Sequence, residues 1–108
     1  MSVENIVALL ERARGYQECH PGLTVECAVG LTGLDLGDAE RYAPLFEGCN
    51  LFAERPSEIP EEVYEDLRGR YAAMQSNLEV VRGHGLNPRD PEALSKAIDN
   101  LRSIPARH

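Results

Sequence analysis

The stretch ECHPGLTVEC, which ends at Cys27, concentrates residue types that bind metals or act as nucleophiles. Its two cysteines could supply thiolates and His20 an imidazole, and Cys49 and His84 could complete a ligand set if the fold brought them close. A structural zinc site usually takes two ligands from a close pair such as C-x2-4-C, whereas Cys19 and Cys27 are eight positions apart. We therefore interpret the stretch as a turn after a helix. A Cys/His metal-binding or redox-sensing module is the alternative.

Other catalytic patterns are missing from the sequence. There is no G-x-S-x-G, no H-E-x-x-H and no phosphate-binding glycine loop. A carboxylate di-metal site would need Glu-x-x-His motifs on facing helices, and the chain has none. Cys19 near a helix C-terminus is on the wrong side of the dipole for a low thiol pKa. We predict that the protein is not an enzyme and binds no cofactor.

Composition is typical of one small globular domain, 1–108, with 43% apolar and 27% charged residues. No apolar run approaches the ~20 residues of a membrane span, so no membrane partner is expected. The first residues contain Glu4 and Glu11 and lack a basic lead-in, which disfavours a secretory signal. An odd number of cysteines, three, favours reduced thiols over a disulfide scaffold. The predicted location is the cytoplasm.

Charge is unevenly distributed along the chain, whose net charge is −7. Residues 1–66 hold 14 acids and 4 arginines, giving −10, while residues 67–108 hold 4 acids and 7 bases, giving +3. This asymmetry could be ordinary solubility, an acidic face offered to a basic partner, or two halves that pair. A nucleic-acid partner is disfavoured, because phosphate contacts need a basic stripe.

The elements that would position these residues are predicted to be helices. Ser2 can cap a first helix that reaches about Gln17 and is over by Pro21. Residues 23–31 alternate as a half-buried strand would, but no second alternating segment exists to pair with it inside the chain. A short helix capped by Thr24 is the favoured interpretation, and a strand, which would have to pair across a dimer, is the minority possibility.

The middle and the end of the chain give less regular patterns. Asp35 or Asp38 can cap a helix in which Pro44 is either a kink or the first residue of a second helix. Helical spacing predicts that the next apolar residues are buried, namely Leu45, Phe46, Cys49 and Phe52. A last helix capped by Asp90 carries the apolar stripe Leu94, Ala97, Ile98, Leu101 and Ile104.

The clearest element is a long helix over about 61–82. Pro60 suits a first turn, and an a/d seam with alternating spacings of three and four follows, formed by Tyr64, Leu67, Tyr71, Met74, Leu78 and Val81. The expected fold is therefore all-α, a small bundle of four to five helices with one long helix. The seam either packs against helices one and five or contributes to a homodimer.

Interaction is the function that these features favour. Six of the thirteen residues from Glu54 to Asp66 are acids, and the apolar seam lies beside them on the same helix. An acidic rim around an apolar anchor is the usual anatomy of an interface. We predict a small acidic regulatory protein that binds another protein, as an antiactivator, phage-type inhibitor or adaptor, and a homodimer. The predicted interface residues are Glu58, Glu61, Glu62, Tyr64, Glu65, Leu67, Tyr71, Met74 and Leu78.

Overall fold

The computed structural model describes residues 3–53, 55–82, 90 and 92–102, with side chains for residues 4–53, 55–76, 90 and 92–102. The helices of these residues are α1 (Val3–Cys19), α2 (Val25–Leu31), α3 (Leu36–Phe46), α4 (Glu61–Arg82) and α5 (Ala93–Arg102). The all-α prediction is confirmed, and α4, at 22 residues, is the longest helix of this part of the chain. No described helix combines the length and apolar character that a bilayer crossing requires.

The short helix α2 replaces the alternative strand over 23–31. Thr24 caps it as predicted, since its Oγ1 accepts a hydrogen bond from the Cys27 N–H at 3.3 Å. All seven residues of α2 are buried. The alternation that suggested a strand is therefore coincidental, because both of its faces enter the core.

Packing places α2 at the centre of the molecule. It makes its largest contact with α4 and also packs on α1 and α3, whereas α5 packs mainly on α1. Gly30 allows the close approach of α4, since a Cβ at that position would lie 3.0 Å from the Leu67 carbonyl oxygen. Of the two alternatives for the seam, packing against helices one and five is wrong about the neighbour, because α2 makes the main contact with α4.

The chain leaves helical geometry after α3. Pro44 lies inside α3, which ends at Phe46, and Gly48 then adopts a φ of +75°, a conformation that favours glycine. Residues 47–53, which we call the bridging loop, form turns rather than a second helix. The prediction that this region is buried is wrong for two residues, since Leu45 is 37% and Phe52 48% exposed.

The last helix closes against the first. Asp90 caps α5 as expected, because its Oδ1 accepts from the Glu92 N–H at 2.9 Å. Arg102 forms an ion pair with Glu11 of α1 at 2.6 Å. Leu94, Ile98 and Leu101 are buried, Ala97 packs against the core, and Ile104 lies outside the described residues.

Candidate functional site

The predicted acidic rim is exposed. Glu58 precedes α4, Glu61 and Glu62 lie in its first turn, and Glu65 follows one turn later, all with exposed side chains. Glu65 is partly neutralised, since its Oε1 lies 3.1 Å from an Arg68 nitrogen. Among the described residues, no cation lies within ion-pair distance of the other three acids. The rim is therefore a solvated negative surface.

The predicted apolar anchors are not on that surface. Tyr64, Leu67, Tyr71 and Met74 are 6%, 0%, 2% and 5% exposed, because α2 and its neighbours cover this face of α4. The side chain of Leu78 lies outside the described residues. The structure thus separates the two halves of the predicted interface: its acids face solvent, and its seam is core.

Phe52 is an exposed aromatic ring beside this acidic rim. Its ring meets the buried Tyr71 edge-on, with centroids 5.7 Å apart and planes at 60°. The guanidinium of Arg68 lies 5.5 Å from the Phe52 centroid and 5.9 Å from that of Tyr64. Because Arg68 also pairs with Glu65, the exposed ring and the acidic face of α4 are joined through one residue.

The bridging loop that carries Phe52 is held by specific hydrogen bonds. The buried carboxylate of Glu26, 5% exposed, accepts from the Leu51 N–H at 2.9 Å, and the Tyr64 hydroxyl donates to the Leu51 carbonyl. Within the loop, Asn50 Oδ1 accepts from the Phe52 N–H at 2.9 Å. Leu51 itself is fully buried. The ring of Phe52 is therefore presented by a backbone anchored on both α2 and α4.

Burial controls the protonation of the groups around Glu26. Desolvation raises the pKa of Cys27 to about 12 and, with the Glu26 charge, that of Tyr71 to about 12. Desolvation also raises the pKa of Tyr64. At neutral pH these groups are therefore a thiol and two phenols, and the Cys27 thiol and the Tyr64 hydroxyl donate hydrogen bonds. A thiol with so high a pKa is a poor nucleophile.

The Cys/His cluster considered from the sequence is divided by the fold. Cys19 is exposed at the end of α1, and His20 Nδ1 lies 3.5 Å from Glu47 Oε1. Cys27 is buried in α2, where its thiol donates to the Cys49 carbonyl at 3.5 Å. His84 lies outside the described residues, and within these no three His, Cys, Asp or Glu side chains are placed to hold a metal ion. Two of the five residues, Cys27 and Cys49, come together.

A small cavity lies on another side of α4. Its volume is about 150 Å³, and Met74 and Arg70 line it together with residues of α1 and of the α2 C-terminal region. Arg70 crosses Gly33 so closely that a Cβ there would lie 1.9 Å from Arg70 Cδ. The same arginine pairs with Asp66 at 3.0 Å. Space of this size accommodates a single side chain rather than an extended peptide.

Comparison with protein-family models, curated proteins and solved structures finds no match to this chain. The candidate site is therefore defined by its own geometry. Two of its features escaped the sequence analysis, namely the burial of Glu26 and the exposure of Phe52. A sequence signal existed for the second, because the glycine at 48 and the asparagine at 50 favour turns over a continued helix.

Proposed function

We propose that this protein is a non-enzymatic regulator that acts by binding another protein, as an antiactivator, phage-type inhibitor or adaptor. The observation that carries the proposal is the half-exposed ring of Phe52, held in place beside the acidic face of α4. An aromatic side chain with a fixed orientation loses little conformational entropy on binding, which is typical of interface hot spots. Phe52 thus takes the role of apolar anchor that the sequence suggested for the α4 seam.

Charge supports the same surface. Glu58, Glu61 and Glu62 lie close to one another around the start of α4 and have no cationic partner among the described residues. Such acids attract a basic partner and raise the association rate, whereas a desolvated aromatic ring chiefly slows dissociation. The expected partner is a protein that offers an apolar pocket with lysine or arginine at its edge. Neither a nucleic acid nor a membrane has this chemistry.

A homodimer remains part of the proposal on different residues. The α4 seam is occupied by the chain's own core, so a second copy would have to use exposed apolar residues such as Phe52 or Leu45. Sedimentation equilibrium at tens of micromolar distinguishes a homodimer from a complex with a different protein. If the wild type is a dimer and Phe52→Ala is a monomer, the partner of Phe52 is a second copy of this chain. A monomer under these conditions removes the homodimer and leaves a different protein as the partner.

The odd cysteine count favours a reducing compartment, and we propose that the protein is located in the cytoplasm.

The proposal is tested by affinity capture from the native host with matched baits. Wild-type protein, Phe52→Ala and Leu36→Ala are immobilised at equal density, and Leu36 serves as the control because it is 61% exposed on α3. A true partner is retained by the wild type and by Leu36→Ala and is lost with Phe52→Ala. Proteins captured equally by all three baits, with none sensitive to Phe52, would count against the proposal.

A further inference from the structure

The cysteines at 27 and 49 meet where α2 packs against the bridging loop. The Cys27 thiol is buried and donates to the Cys49 carbonyl oxygen at 3.5 Å. The Cys49 side chain is also close enough to contribute to the raised pKa of Cys27. Cys49 is partly exposed and none of the three cysteines forms a disulfide. The pair thus has one member that solvent reaches and one that it does not.

The backbone on both sides of the pair is held in place. Thr24 fixes the first turn of α2 by capping the Cys27 N–H, and the Cys49 N–H donates to the Phe46 carbonyl at 3.0 Å. The adjacent residues Glu26 and Leu51 are joined by a further hydrogen bond of 2.9 Å. These contacts hold Cys27 beside the Cys49 backbone in the folded chain. A disulfide between them requires their Cβ atoms to lie about 3.5–4.5 Å apart. Cys19, on α1, is exposed and belongs to a different part of the fold.

We propose that Cys27 and Cys49 are a redox pair that closes into an intramolecular disulfide on reaction with a small-molecule disulfide such as oxidised glutathione. Of the five cysteines and histidines considered as a redox-sensing module from the sequence, only Cys27 and Cys49 take part. It does not depend on the proposed regulatory partner, because the reaction needs only this chain and the oxidant. Closing the bond would tie α2 to the bridging loop three positions before Phe52.

The reaction proceeds by two thiol–disulfide exchanges. Cys49 loses its proton, and its thiolate attacks one sulfur of the oxidant, forming a mixed disulfide and releasing one glutathione thiolate. Cys27 then loses its proton and attacks the Cys49 sulfur, which forms the protein disulfide and releases the second thiolate. The two protons neutralise the two released thiolates. Two cysteine thiols are oxidised by two electrons, and one glutathione disulfide is reduced to two thiols.

Burial makes the second exchange the slow one. Desolvation holds the pKa of Cys27 near 12, so very little thiolate exists at neutral pH. The mixed disulfide on Cys49 should therefore form first and then resolve. As long as the pH stays below that pKa, each increase of one pH unit raises the thiolate fraction of Cys27 roughly tenfold. The rate at which the mixed disulfide resolves should rise in the same proportion. Above about pH 9 this response distinguishes attack by Cys27 from attack by a second molecule of glutathione, because a thiol with an ordinary pKa of about 8.5 is already mostly ionised there. Direct hydrolysis is distinguished by its product, which does not join positions 27 and 49.

The test uses the full chain with Cys19→Ser, so that Cys27 and Cys49 are the two cysteines present. The folded protein is incubated with oxidised glutathione, quenched in acid, treated with a thiol-alkylating reagent and weighed by mass spectrometry. The expected product has lost two hydrogens, takes up no alkyl group and stays monomeric on a non-reducing gel. Proteolysis should give one peptide pair joined through positions 27 and 49.

Two further measurements keep the inference falsifiable. The Cys19→Ser/Cys27→Ser protein should stop at the mixed disulfide on Cys49. If this variant fails to fold, the peptide map of the Cys19→Ser protein decides alone whether positions 27 and 49 are joined. In strong urea the equilibrium yield of the disulfide at a fixed glutathione ratio should fall by roughly tenfold or more, because the fold no longer holds the thiols together. A stable mixed disulfide as the end product would overturn the proposal, as would an intermolecular disulfide or equal yields in buffer and urea.

Discussion

The seam of α4 and the bridging loop meet through two aromatic rings with opposite roles. Tyr71, on the seam, is 2% exposed, whereas Phe52, on the loop 5.7 Å away, is 48% exposed. The regular helical pattern of the seam is the feature that stands out in the sequence, and the structure uses it as core. The irregular bridging loop, in contrast, exposes its aromatic ring to solvent. In this chain the regular spacing therefore marks the buried seam, and the break in regular spacing marks the loop that exposes Phe52.

Replacing Tyr71 and Phe52 by alanine should distinguish the buried ring from the exposed ring, and the expected difference in the free energy of unfolding is large. Removing a buried tyrosine ring leaves a cavity in the core, and we expect Tyr71→Ala to lower the free energy of unfolding by about 3–5 kcal/mol. Phe52→Ala removes a half-exposed ring and should lower it by less than about 1 kcal/mol. Urea denaturation followed by circular dichroism measures both values. Equal losses would mean that Phe52 is part of the core and not a presented anchor.

Alkaline pH should destabilise the region between α2 and the loop. The folded-state pKa of Cys27 is raised from the ordinary 9.0 to about 12 and that of Tyr71 from 10.0 to about 12. A raised pKa means that the folded state holds its proton longer, so this stability is fully present below pH 9 and is lost as the pH rises toward 12. Urea midpoints measured between pH 8 and 11 should therefore fall.

Cys27→Ala provides the control for the alkaline measurement. This variant lacks the thiol, so its urea midpoint should decline less steeply with pH, whatever its stability at neutral pH. Cys19→Ala should keep the wild-type slope, because Cys19 is exposed. If all three proteins lose stability in parallel, Cys27 ionises as freely in the folded chain as in the unfolded one.

The buried carboxylate of Glu26 should matter as an acceptor rather than as a charge. Glu26→Leu leaves the Leu51 N–H buried without a partner and should cost about 1–3 kcal/mol. Glu26→Gln keeps an oxygen in the same place and should cost clearly less. Thermal or urea unfolding of the two variants gives the comparison. A Glu26→Gln protein as unstable as Glu26→Leu would show that the negative charge itself stabilises the loop.

Reversing the acidic rim should change the association rate and leave the fold intact. The double variant Glu61→Lys/Glu62→Lys is expected to slow association with a basic partner and to flatten its salt dependence. Glu65 is left in place, because it pairs with Arg68 under the Phe52 ring. The matched control is Asp38→Lys/Glu40→Lys on α3, which makes the same charge change at exposed positions. Association rates are measured by stopped flow at several salt concentrations. If the two variants show the same rates and the same salt dependence, the acidic rim is only solvated surface.

Local rules in the sequence predicted much of the fold. The bounds of α4 and the caps at Thr24 and Asp90 follow from proline, glycine and side-chain oxygens acting over a few positions. The central position of α2 does not follow from such rules. Seven residues give little periodicity, and one of them is a glutamate that would ordinarily be placed in solvent.

The candidate site depends on distant pairs, which explains why it was missed. Glu26 is tolerated in the core because its oxygen meets the Leu51 N–H, 25 positions along the chain. Phe52 is exposed because the backbone turns around Asn50 after Gly48. No spacing rule in a single sequence relates these positions. The acids at 58, 61, 62 and 65 were placed correctly on the surface, since the start of a helix favours negative charge.

We propose that Phe52, and not the α4 seam, anchors a protein partner. The sharpest check is the rate at which the captured partner dissociates from wild type, Phe52→Ala and Leu36→Ala, measured on an immobilised surface at one salt concentration. Phe52→Ala should dissociate roughly 10- to 100-fold faster, as expected for an aromatic hot spot, while Leu36→Ala stays near the wild-type rate. Dissociation rates that are the same for Phe52→Ala and the wild type would contradict the claim.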